Sequence, residues 1–466
     1  MIQIERDTRL AANPTRTLII VVMSAFAYKG LETVLSPALP LIKESLGATE
    51  AQIAWVITGV LLTGAVATPL VGRLSDVRNK KSLLLAVLGI VALGVATSGL
   101  STTVLMLTIG QILQGVGLAV VPLTFGIIRD TQTESRIKSG NGWVIGFIYA
   151  GTAVALVGSG IIVTMLPWRW LFAVPFSIIV VIAIAAALFV PSCPPAKRGR
   201  VDYLGAALLG GGLAVLLIGI TKAPQWGWLS LPFGASILAC IMLLALFVAV
   251  ELRTRDSLID VRLFATKPIT LSCLVYFHCG FCGNMLFMAV PMLVQAPRST
   301  GYGMGVSEFV TALLLLPLGI AGAAAAPMTG WLDSRIGSRR TMVVGLGLAG
   351  TAFVALLLAD GRTFMVLIAT TLIGLTGGIT LTQAMNTVVL TSPESRIGAF
   401  SGLAFVVKAV GGTLGVQLAG SILTSGTSGG TTAPSWESFQ LVLCMGVLIS
   451  ATAAISCLML PQQNRL

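Results

Sequence analysis

Lys29 and Glu32 stand three residues apart inside an apolar run. That spacing puts an ammonium and a carboxylate on one helix face, where they can pair or compete for a proton. Two further ionisable groups, His278 and Lys408, lie in similarly apolar surroundings. A charge at the centre of a bilayer costs about 2.5 to 3.5 kcal/mol, so such side chains usually face an interior cavity and serve function. The chemistry on offer is reversible protonation. Burial and the neighbouring ammonium act in opposite senses on Glu32, and a change of surroundings can therefore load or unload its proton. One charge moved through 100 mV supplies about 2.3 kcal/mol, enough for a roughly fifty-fold gradient. The structural alternative is a static Lys29–Glu32 bridge. His278, the single histidine, is a relay candidate or a hydrogen-bonded packing residue. Lys408 stands beside Gly411 and Gly412, so a helix seam and a cavity are both open to it.

Polar amides accompany these groups: Gln111, Gln114, Asn284, Gln295, Gln383 and Asn386. At membrane depth they must either bond between helices or line a cavity. Met285, Phe287 and Met288 beside Asn284 offer an adaptable apolar wall, although plain packing serves them equally. Other patterns carry no chemistry. Gly345 to Gly350 reads G-x-G-x-x-G but has no preceding strand, and close helix packing accounts for it. Gly426 to Gly430 reads G-x-S-x-G inside a low-complexity loop, and His278, Cys279 and Cys282 share one apolar helix without a metal or haem spacing. No metal, no cofactor and no catalytic constellation is expected.

The elements that must position these residues are membrane helices. The chain has 466 residues, 56% hydrophobic and 10% charged, with a mean hydropathy of +0.96. Soluble domains carry about 25% charged residues. Near-continuous apolar runs such as 82–101 and 171–190 have the length that crosses a bilayer, and they lack the alternation of barrel strands. Fourteen spans are expected, near 17–39, 52–72, 82–101, 104–126, 140–163, 171–191, 203–221, 231–250, 269–293, 306–329, 341–359, 363–390, 399–423 and 438–460. With the N-terminus inside, 22 of the 29 Lys and Arg residues fall in cytoplasmic segments and five in outer loops. This positive-inside bias places both termini in the cytoplasm and accounts for the net charge of +12 without nucleic acid. The seven cysteines, odd in number and mostly within apolar runs, do not form a disulfide framework. The first apolar run is too long for a cleaved signal peptide.

A loop segment repeats. Residues 72–81, GRLSDVRNKK, follow span 2 and return loosely as 330–340, GWLDSRIGSRR, after span 10. Copies eight spans apart fit two six-helix halves with spans 7 and 8 inserted between them. Further motifs in order are Ala38-Leu39-Pro40, Gln114-Gly115, Trp168-Arg169-Trp170-Leu171-Phe172, 202–209, 258–264 and 408–415. On these residues the chain resembles the major facilitator superfamily, and its fourteen-span drug/proton antiporter family in particular. The resemblance implies alternating access of two halves around a midplane cavity, driven by proton influx. It also implies that Gly72, Arg73, Asp76 and Arg78 form a gating motif, Asp76 pairing with a base or capping a neighbouring helix N-terminus. Three family features are altered: Gln111 replaces an arginine in span 4, residues 155–160 lack the proline of the span 5 motif, and Val77 and Asn79 replace an arginine and a glycine of the loop motif.

The expected fold is an all-α polytopic membrane protein of the major facilitator type. A six-helix bundle would occupy 1–192, the inserted helix pair 193–262 and a second six-helix bundle 263–466. The expected function is proton-coupled efflux of amphipathic drugs or a related natural product. Its proton-coupling residues would be Glu32, Lys29 and His278, and its substrate cavity Lys29, Glu32, Gln111, Gln114, Asn284, Gln383, Asn386 and Lys408. Intramembrane bases outnumber the carboxylate, which disfavours a purely cationic substrate. The alternatives are metabolite uptake or a proton-independent facilitator, prompted by the altered motifs, and a non-transport receptor or enzyme. The partners are a small-molecule substrate, protons and the lipid bilayer of a bacterial inner membrane, with a monomer expected.

Overall fold

The computed structural model describes residues 13–35, 39–48, 50–195, 202–254, 266–359, 361–393, 396–425 and 434–459. The 258–264 motif, the 262/263 boundary and residues 426–430 lie outside them. Among the described residues, fourteen helices are long and apolar enough to cross a bilayer. They are α1 (Pro14–Val34), α2 (Glu50–Val77), α3 (Lys80–Gly99), α4 (Val104–Thr131), α5 (Glu134–Met165), α6 (Trp170–Phe189) and α7 (Tyr203–Trp226). The remainder are α8 (Leu231–Arg253), α9 (Lys267–Gln295), α10 (Glu308–Ile336), α11 (Ser338–Leu357), α12 (Thr363–Thr391), α13 (Ile397–Ser425) and α14 (Trp436–Cys457). Every regular element among the described residues is helical, because lipid leaves backbone groups no partner outside their own helix. Asn79, Thr103, Asp202, Ser230, Ser307 and Ser435 start helices by accepting backbone N–H bonds through their side chains. Among the described residues seven prolines sit inside α2, α4, α6, α7, α9 and α10, which membrane helices tolerate because neighbouring groups can satisfy the freed carbonyls.

The repeated segment is not a loop. Gly72 to Val77 form the last turns of α2, and the helix yields only at Asn79, whose side chain caps α3 through Lys81 N–H at 3.0 Å. Residues 330–336 likewise end α10, with Gly337 alone, at φ 83°, joining it to α11. Helix-favouring residues run up to these breaks, and nothing earlier stops them.

Within the first six helices α1 packs on α5 and α6, α2 on α4, and α3 on α4 and α6; among the last six, α9 packs on α13, α10 on α12, and α11 on α12 and α14. Two seams join these groups, α5 against α10 and α2 against α13. Glycines four residues apart form both. A β-carbon at Gly142 would lie 2.6 Å from the Ala326 carbonyl oxygen and one at Gly146 2.8 Å from that of Ala323, while Gly398 and Gly402 bring α13 equally close to Gly72 and Thr68. Helix α7 packs on α8, α2 and α13, and α8 is the least buried span. Gly142→Val is expected to destabilise this seam by about 1 to 3 kcal/mol through overpacking. The melting temperature of the purified protein should therefore fall by a few degrees. An unchanged melting temperature would show that the two helices are not close-packed at this contact.

Candidate functional site

Two adjoining cavities, of about 590 and 280 Å³, lie between the helix groups. They share Lys29, Glu32, Ile148, Asn284, Phe405 and Lys408, and form one space of the size that holds a drug-sized ligand. Lys29 Nζ meets Glu32 Oε1 at 2.9 Å, with the two side chains 25% and 26% exposed. The pair is made within one helical turn of α1 and faces the cavity. Lys408 reaches the same space from α13, within electrostatic reach of both. Its backbone does belong to a seam, because a β-carbon at Gly280 would overlap the Lys408 carbonyl, and Gly411 and Gly415 hold α13 equally close to α9. Seam and cavity are thus both occupied by one residue. Asn284 and Phe287 line the cavity as well, whereas Met285 is buried in the core and Met288 packs near Gly420.

Four amides of the expected cavity stand elsewhere, lining neither of these two spaces. Gln114 donates to the Gly94 carbonyl at 3.2 Å and to Ser98 Oγ at 2.8 Å, and Gln111 reaches Ser98 at 3.5 Å; both fasten α4 to α3. Tyr28 Oη also donates to the Gln114 carbonyl at 3.2 Å. Gln383 donates to Asp333 Oδ1 at 3.1 Å, and Asn386 pairs with Asn141 at 2.9 Å. An amide in apolar surroundings takes the nearest polar partner, and sequence spacing does not say whether that partner is a helix or a ligand. His278 is also outside the cavity. It is 1% exposed, with Nε2 3.1 Å from Ser450 Oγ on α14, a packing role rather than a place on the cavity wall.

The expected gating residues gather at the end of the bundle where α2 and α10 finish, here termed the motif end. Asp76, 2% exposed, accepts the backbone N–H groups of Gly398 at 2.9 Å and Ala399 at 3.1 Å, and so caps α13. Gly72 lets the two helices approach, Arg73 is buried beneath them and Arg78 is exposed. The second copy makes a related contact. Asp333 pairs with Lys138 of α5 at 2.7 Å and accepts from Ser338 at 2.6 Å. Arg129 donates to the Val389 carbonyl nearby. These bonds join the two helix groups at the motif end, while the larger cavity runs along α13 from Phe405 to Gln417, about 12 to about 30 Å from the motif end. The seam residues Lys138, Asn141 and Gly142, and the wall residues Tyr149 and Phe405, were not among the sequence candidates. Small residues at 142, 146, 398 and 402 were the only available signal.

Lys80, which trails the motif, pairs with Asp130 at 2.7 Å, and its N–H donates to the Cys193 carbonyl at 3.0 Å. Burial pushes the Cys193 thiol up to about 12, with the Asp130 charge adding to it. At pH 8 only roughly one in ten thousand of these thiols is ionised, so alkylation by iodoacetamide should climb about tenfold per pH unit between 8 and 10. Mass spectrometry of the modified peptide measures this; a plateau by pH 9 would contradict the buried placement.

Residues 18–416 match the Major Facilitator Superfamily. The chain is 28% identical over 405 residues to an uncharacterized MFS-type transporter of Mycobacterium tuberculosis (strain CDC 1551 / Oshkosh), covering 84% of this chain and 57% of that protein. It thus spans little more than half the length of that relative. It is 27% identical over 424 residues to the tetracenomycin C resistance and export protein of Streptomyces glaucescens, covering 89% of this chain and 77% of that one. The lincomycin resistance protein of Streptomyces lincolnensis is 25% identical over 438 residues, with 93% and 89% covered. The crystal structure of the human organic anion transporter MFSD10 superposes with a TM-score of 0.70 over 96% of this chain and 99% of that one, at 15% identity, which is a likeness of fold alone.

Proposed function

We propose that this chain, which belongs to the major facilitator superfamily, is a transporter of small molecules and exports amphipathic molecules in exchange for protons. Glu32 takes up the proton and Lys29 modulates it. Asp76, with Gly72, Arg73 and Arg78 around it, latches one state of the cycle. The observation that carries this reading is the cavity shared by Lys29, Glu32 and Lys408, which lies beyond a sealed motif end. With that end cytoplasmic, as the positive-inside bias favours, the state described is closed to the cytoplasm. The export named for the tetracenomycin C relative, and the resistance named for the lincomycin relative, support the outward direction.

We extend the reading to the domain plan. Residues 1–192 and 263–466 are two rocking halves, and 193–262 is an inserted pair whose Thr221 lines the larger cavity beside α2 and α13. The transporter works as a monomer in a bacterial inner membrane, with both termini cytoplasmic. The intrahelical Lys29–Glu32 bridge needs no other partner, which favours proton-independent passage as a second reading. Transport of a fluorescent amphipath into proteoliposomes under an imposed pH gradient decides between them. Gradient-driven accumulation is expected, and flux indifferent to pH would overturn antiport.

A further inference from the structure

The charges around the cavity do not balance. Among the described residues Glu32 is the single carboxylate lining either lobe, and it is already engaged by Lys29 at 2.9 Å. Lys408 lines both lobes with no hydrogen-bond or ion-pair partner among the described residues. Glu32 lies within electrostatic reach of Lys408 but is bonded to Lys29, so one carboxylate faces two ammoniums at membrane depth, and a bound anion relieves that excess of positive charge more than any neutral group can. The surroundings of Lys408 suit an aromatic or alicyclic body. Phe405 lies one turn before it on α13, Phe287 and Tyr149 line the smaller lobe, and Ile148 lines both. Asn284, also shared by both lobes, adds an amide beside Gly412 that can donate a second hydrogen bond to the same group.

From this placement we infer that the cavity selects amphipathic molecules with a single negative charge, of the carboxylate or acidic phenol class, and that Lys408 is the anchor for that charge. The inference rests on reading the cavity as the substrate site. Lys29 is not the anchor, because its charge is spent on Glu32; it becomes available only when Glu32 is protonated or replaced. A cationic substrate would have to displace Lys29 from Glu32 while facing Lys408, which sets two like charges against it.

The test uses three probes with one ring system and different head groups: naphthaleneacetate, naphthaleneethanol and naphthylethyl-trimethylammonium. Binding to the full chain in nanodiscs is measured by calorimetry, and uptake into proteoliposomes is followed in parallel. In the wild type the anion should bind about tenfold to a hundredfold tighter than the alcohol, the range expected of a charged hydrogen bond, and the cation should be weakest. Lys408→Gln should remove that advantage while leaving the alcohol unchanged, and Lys408→Arg should restore it. A cation bound more tightly than the anion overturns the inference, as does a Lys408→Gln variant that weakens all three probes equally. If the advantage depends on Lys408 yet no probe is transported, the anion site stands and the substrate-site reading falls. If the alcohol or the cation is transported and the anion excluded, the transport reading stands and the anion inference falls.

Discussion

Replacing Glu32 by glutamine is expected to collapse pH-gradient-driven accumulation from roughly fifty-fold to about one, because a single coupled charge at 100 mV supports about that ratio and an amide takes up no proton. Glutamine keeps the volume of the side chain, and its carbonyl can still accept from Lys29. Helix α1 should therefore stay packed on α5 and α6, and the variant should melt within a few degrees of the wild type. Exchange of substrate for substrate across the membrane needs no net proton movement, and should survive. The pairing of lost accumulation with retained exchange separates a proton site from a structural bridge. Lys29→Gln is the weaker partner experiment, since it leaves the carboxylate in place and only changes the ease of loading it. Full accumulation in Glu32→Gln would remove Glu32 from the coupling mechanism and leave the proton-independent reading standing.

Asp76→Ala should act on the conformational equilibrium instead. In the wild type one buried carboxylate accepts two N–H groups from the first turn of α13, where the helix dipole also favours negative charge. Alanine leaves both donors buried without their acceptor, at a cost of about 2 to 4 kcal/mol to this conformation. That shifts its population roughly 30-fold to 1,000-fold. Asp333, Asn141 and Arg129 still hold the motif end, so it loosens without unfolding. Spin labels at the exposed positions Arg136 and Ser334, one on each side of the seam, should report a longer distance in the variant, and the transport rate should fall at least about tenfold as the cycle stalls. An unchanged distance distribution would mean that Asp76 merely finishes a helix. Asp76→Asn retains one acceptor oxygen and should lie between the two.

Fourteen apolar runs and a repeated segment were enough to read the span count, because each span satisfies its own backbone and its hydropathy is local. Boundaries were less legible. The segment 72–77 reads as polar loop, but no residue there breaks a helix, and α2 carries on to Val77. The Lys29–Glu32 pair was legible for the same local reason, since three residues of spacing fix its geometry within one helix.

The expected site residues that stand away from the two cavities all have a partner on another helix. Gln111 and Gln114 look like Asn284 in sequence, each an amide in an apolar run, yet α3 offers Ser98 to the first two while Asn284 is left facing a cavity. His278 found Ser450, 172 residues away. Asn141 and Asn386, 245 residues apart, became one contact across a seam. Hydropathy and spacing determined that this chain crosses the membrane and which helix face carries a charge, because both are properties of a single helix. Only the packing of α1, α9 and α13 around a common space decided which polar groups are consumed by other helices. The same packing left Lys408 facing that space with no hydrogen-bond or ion-pair partner of its own among the described residues.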